Sequence, residues 1–79
     1  MIMIEELADV VLTCDLPEQG LGRGDIGTIV LVHKGGKGCE VEFTTLDGET
    51  IAIVTLTADQ VRLSKQREIA HVRDLRANP

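Results

Sequence analysis

Hydrophobic positions along this chain fall in short runs separated by polar, glycine-bearing stretches, and one run alternates strictly. In Cys39-Glu-Val-Glu-Phe43, Cys39, Val41 and Phe43 share one side of an extended backbone while Glu40 and Glu42 share the other. This predicts a half-buried strand with Val41 and Phe43 in the core and the two glutamates facing solvent or a partner. Ala8–Cys14 reads as a first strand. Thr28–His33 reads as a second, apolar on both faces and therefore central. Thr50–Leu56 is a fourth strand and Val61–Leu63 a short closing one.

The connections carry their own signals. Met1–Ala8 is a lead-in in which Ile4–Leu7 forms one helical turn or packs across an end of the fold. Asp15–Gly27 is a long loop: Pro17 holds Leu16 extended, and glycines at 20, 22, 24 and 27 admit positive φ. Lys34–Gly38 has the composition of a hairpin loop. Asp47-Gly48 suits a type I′ turn, and Thr57–Gln60 suits one 3₁₀ turn.

After Leu63 the pattern changes. Ser64 can cap a helix, and Ile69, Val72 and Leu75 recur every third residue among basic side chains. This predicts a basic amphipathic helix over 64–79. Three apolar side chains cannot hold such a helix alone in water, so it should dock on the body or on another chain, or fray. The expected fold is mainly all-β: a small five-stranded SH3-like barrel over 1–63, lead-in included, with a C-terminal helical tail over 64–79.

Charge and composition narrow the function classes. The 79 residues carry a net charge of −5, split unevenly. Residues 1–63 hold eleven acids against Arg23, Lys34, Lys37 and Arg62, a net of −7, whereas 64–79 are net +2. An acidic body repels phosphate backbones and suits a basic protein. The chain has no Trp, no Tyr and a single Phe, so aromatic-lined PxxP grooves and base-stacking platforms lose their main contact. Cys14 and Cys39 lie on separate strands without a CxxC and read as free thiols of a cytoplasmic protein. No apolar run approaches the ~20 residues that span a bilayer, and Met1–Ile4 is too short for a signal peptide.

Candidate chemistry is sparse. Gly22-Arg-Gly-Asp-Ile-Gly27 matches G-x-G-x-x-G, but a strand follows it where the dinucleotide fingerprint needs a helix. His33 and His71 lack metal-ligand spacing with either cysteine, so no metal or cofactor is expected. The acids Glu40, Glu42, Asp47 and Glu49 cluster on one hairpin, where alternation sets the first two outside, a solvated edge rather than a catalytic pair.

Four ordered segments carry a resemblance: Asp15-Leu-Pro-Glu-Gln-Gly-Leu, Gly24-Asp-Ile-Gly-Thr-Ile-Val, Glu40-Val-Glu-Phe and Ala52-Ile-Val-Thr-Leu. Together they resemble a family of small bacterial proteins of unknown function, the DUF4926 type. The resemblance covers about 8–63, implies an SH3-like barrel and supplies no catalytic residues. Members encoded beside nuclease-like proteins imply a toxin-neutralising role. The resulting expectation is a non-enzymatic module that binds a basic protein, antitoxin-like. It would contact the partner through Glu18, Asp25, Glu40, Glu42, Asp47 and Glu49, with Ile69, Val72 and Leu75 of the tail. The alternative is a structural or accessory homo-oligomer, since small barrels leave sheet edges open. Direct nucleic-acid and membrane contacts are not expected.

Overall fold

The computed structural model describes residues 5–75. It contains five antiparallel strands: β1 (Asp9–Leu12), β2 (Ile26–Val32), β3 (Gly38–Thr44), β4 (Thr50–Thr57) and β5 (Val61–Leu63). Their order in the sheet is β4-β3-β2-β1-β5, so the second strand is central as its composition predicts. The fold is the small SH3-like barrel. Its closing strand lies beside the first, with Val10 opposite Leu63 and Leu12 opposite Val61.

The core follows the alternation. Cys39 and Val41 are fully buried and Phe43 nearly so; Val10, Leu12, Ile29, Leu56 and Val61 join them. Glu40 and Glu42 stay part-exposed on the opposite face of β3. Residues Ala58–Gln60 form the expected 3₁₀ turn. Its capping box has the Gln60 side chain accepting from the Thr57 amide at 2.9 Å.

Several expectations need correction. β1 is shorter than Ala8–Cys14, and β2 begins two residues before Thr28, so Gly27 belongs to a strand and not to the loop. Gly20 and Gly24 take positive φ (72° and 95°), whereas Gly22 and Gly27 do not. Gly27 is required by space instead. A Cβ there would stand 2.5 Å from Val41 Cγ1 and 2.8 Å from Phe43 Cε2.

The second strand is not buried on both faces. The β2–β3 register shifts between Ile29 and Leu31, which leaves Val30 as an extra residue at a bulge. Leu31 then lies opposite Glu40 on the outer face, and Val30 and Leu31 are 38% and 48% exposed. The β3–β4 connection is not a two-residue I′ turn. The Gly48 amide donates to the Thr45 carbonyl (3.0 Å) and only Gly48 takes positive φ, at 96°.

The largest departure is the tail. Residues 64–74 form no helix: Ser64 caps nothing, and a turn at 66–67 is followed by irregular chain. The segment 76–79 of the expected helix lies outside the described residues, as does Ile4 of the lead-in. Within the lead-in, Glu5–Ala8 makes a single turn, and the Leu7 amide reaches the Ile29 carbonyl at 2.7 Å.

Candidate protein-interaction surface

The long loop is built to present Asp25. Leu21 is buried and draws the loop onto the core, while Leu16 and Leu21 exchange main-chain hydrogen bonds of 2.9 and 3.1 Å. The tip closes at Pro17–Gln19, with Gly20 left-handed behind it. The returning limb is then pinned twice. The Arg23 amide donates to Asp15 Oδ1 and the Gly22 amide to Asp25 Oδ2, both at 2.9 Å. Asp25 thereby sits at the entry to β2 with its carboxylate fixed.

Arg73, from the tail, meets that carboxylate. Its Nε donates to Asp25 Oδ1 at 3.0 Å, and Nη2 donates to Asp25 Oδ2 at 2.6 Å and to the Gly20 carbonyl at 3.0 Å. This is a forked, charge-assisted contact with a carbonyl completing the cradle. Burial works to raise the Asp25 pKa, but the bonds from Arg73 and the Gly22 amide, with the Arg73 charge, outweigh it and hold the carboxyl below its ordinary value. A second tether precedes it: Arg62 pairs with Glu68, which also accepts the Lys65 amide, and Glu68 is lowered to about 2.

Between the tail and the barrel lies an open cleft of about 860 Å³. Its apolar wall includes Leu21, Ile26, Phe43, Leu46 and Ile51; its rim carries Asp25, Asp47 and Glu49; residues 70–75 form the facing wall. Three of the expected contact acids are therefore brought together here with Val72 and Leu75. Ile69 is not on the cleft and is 94% exposed. Asp47 is held by the Thr45 hydroxyl, and the Glu49 amide donates to the Thr45 Oγ1 at 2.9 Å.

The other three acids lie elsewhere. Glu40 and Glu42 occupy the outer face of β3. Glu40 accepts from Thr55 Oγ1 (2.8 and 2.9 Å) and stands 2.8 Å from His33 Nε2, contacts that lower its pKa. Glu42 accepts from Thr50 Oγ1 at 2.6 Å. Glu18 stands on the loop tip beside a smaller cleft of about 290 Å³, opposite Val54, Thr55 and Leu56 of β4.

Cys14 and Cys39 are free thiols; Cys39 is buried, and burial together with the Glu40 charge pushes its pKa up. Among the described residues, no group of three or more His, Cys, Asp or Glu is placed to hold a metal ion. None of their helices is long and apolar enough to cross a membrane. Arg73 carries no local signal as a site residue, because its partner stands 48 positions away and no local period announces the pair.

The sequence matches the family described as Domain of unknown function (DUF4926) over residues 6–63, most of the chain. The chain belongs to that family. No curated protein and no solved structure matches it. The family span ends at Leu63, the last residue of β5, so the tail with Arg73 lies beyond it.

Proposed function

We propose that this protein is a non-enzymatic interaction module of the bacterial cytoplasm that binds a basic protein partner, in the manner of an antitoxin neutralising a nuclease-like protein. The observation that carries this reading is the hairpin 39–50, which holds Glu40, Glu42, Asp47 and Glu49 and not one Lys or Arg. Its carboxylates stand on two adjoining surfaces, the outer face of β3 and the rim of the cleft. With the net −7 of residues 1–63, such a surface accelerates encounter with a positive partner and repels nucleic acid. The thiols of Cys14 and Cys39 suit a reducing compartment.

The reading is tested by affinity capture from native lysate on the full chain and on a Glu40→Gln/Glu42→Gln/Glu49→Gln variant. A basic protein retained by the former and lost by the latter supports it. Retention that ignores the three charges overturns it.

A homo-oligomer is the second reading. It is favoured by Ile53, 58% exposed on β4, a strand at the margin of the sheet order. Sedimentation across rising protein concentration separates the two: a mass that grows to a dimer supports pairing of copies, and a constant monomer mass removes it.

A further inference from the structure

The Asp25–Arg73 contact has the chemistry of a recognition site rather than of a fold contact. Asp25 is held within its own loop by the Gly22 amide, which leaves its second oxygen to Arg73, and the last strand of the barrel ends at Leu63. Arg73 adds a planar donor fork to a fixed carboxylate, with the Gly20 carbonyl accepting alongside. That carbonyl is aimed by the left-handed Gly20, and the carboxylate by the Gly22 amide, so both acceptors are set by the loop. Around them the tail buries little. Ile69 and Val72 remain 94% and 70% exposed, and the cleft of about 860 Å³ stays open between tail and barrel. The tail is moored by polar contacts, Glu68 to Arg62 and Arg73 to Asp25 among them, more than by its apolar side chains.

We propose that Asp25 and the Gly20 carbonyl form an arginine receptor at the mouth of this cleft, occupied here by the chain's own Arg73, which a partner's arginine displaces. The occupant it fits is an extended segment of a basic protein with an aliphatic residue beside the arginine. The arginine would take the place of Arg73, and the aliphatic group would lie against Leu21, Ile26, Phe43 and Ile51. Asp47 and Glu49 on the rim add the charge complementarity that such a segment needs. The tail then acts as a tethered competitor: while Arg73 is seated, the apparent affinity for any outside arginine falls by the fraction of molecules left open. This proposal rests on the basic-partner reading for its biological meaning, but its test uses no natural partner.

The probe is a synthetic, end-blocked peptide of residues 66–75, titrated into the isotopically labelled full chain and followed by amide chemical shifts. Three proteins are compared: wild type, Arg73→Ala, and Arg73→Ala with Asp25→Asn. The Asp25→Asn change keeps an oxygen for the Gly22 amide while removing the charge, and unshifted β3 and β4 amides verify the fold. The Arg73→Ala protein is expected to bind the peptide about threefold or more tighter than wild type, with shifts centred on residues 20–26. Adding Asp25→Asn is expected to weaken it about fivefold or more. A peptide carrying Arg73→Ala gives the same loss with no change to the protein. Equal affinity of wild type and Arg73→Ala overturns the proposal, as does binding indifferent to Asp25, to the peptide's arginine, or absent altogether. Such a failure leaves the capture experiment untouched, and a failed capture leaves this titration untouched.

Discussion

Replacing Gly27 by alanine tests the packing that positions the site, because Gly27 sits between the Asp25 corner and the Phe43 floor of the cleft. Carbon atoms rest about 3.5–4.0 Å apart. The new Cβ would stand 2.5 Å from Val41 Cγ1, 2.8 Å from Phe43 Cε2 and 3.0 Å from the Glu42 carbonyl oxygen. About 1 Å must therefore be recovered by moving Val41 and Phe43, which are 0% and 3% exposed and packed in the core. Overpacking of this kind costs about 1–3 kcal/mol. Alanine's smaller entropy loss on folding returns about 0.5–1 kcal/mol, so a net loss of about 1–2 kcal/mol is expected. That is a large share of the roughly 4–12 kcal/mol available to a domain this size.

The assay is differential scanning calorimetry, since a chain without Trp or Tyr offers little intrinsic fluorescence. Val41→Ala alone should cost about 2 kcal/mol for two buried methyl groups. The Gly27→Ala/Val41→Ala double variant should lose about 1 kcal/mol less than the two single losses added together, because the deleted methyl groups make room for the new one. A Gly27→Ala loss below about 0.5 kcal/mol, or strict additivity in the double variant, would refute the argument.

Other expectations follow from single contacts. Phe43→Ala should lose about 3–5 kcal/mol and Glu42→Gln about half a kcal/mol or less, by thermal melts; equal losses would place the β3 register one residue out. Leu7 is 80% exposed at φ 71°, so Leu7→Gly should stabilise by up to about 1 kcal/mol in calorimetry, an uncommon outcome for a glycine substitution. Asp25 and Glu68 have folded pKa values below their unfolded ones. The stability that their ion pairs contribute is therefore present above the unfolded carboxyl pKa and is lost as pH falls through the folded value. Side-chain NMR of Arg73 should show its Asp25 contact intact at neutral pH and released only on acidification to below the ordinary aspartate range, with the barrel still folded.

What is legible in the chain is local. The period of two in 39–43 sets the buried face of β3, and the Thr57–Gln60 capping box with Val61–Leu63 sets the closing turn and strand. The role of Gly27 is hidden because composition cannot separate a glycine that needs positive φ from one that needs space. The bulge at Val30 hides for a similar reason: an apolar run looks the same whether both its faces are buried or one extra residue turns outward. The tail departs furthest from its pattern. Three apolar residues at helical spacing are a weak force in water, and the segment instead follows an irregular path tied down by the Arg62–Glu68 and Arg73–Asp25 pairs. Asp25 is legible as a candidate acid, but its being held by Arg73 is not.

Electrostatic binding of a basic protein would show itself first in the rate of association. With the captured partner immobilised, the on-rate of the full chain is measured between about 0.05 and 0.5 M salt, where screening lengths shrink from beyond the width of a contact to well within it. The on-rate should fall steeply with salt, and a Glu40→Gln/Glu42→Gln/Glu49→Gln variant should associate more slowly with a flatter dependence at an unchanged melting temperature. An on-rate indifferent to salt would contradict electrostatic binding.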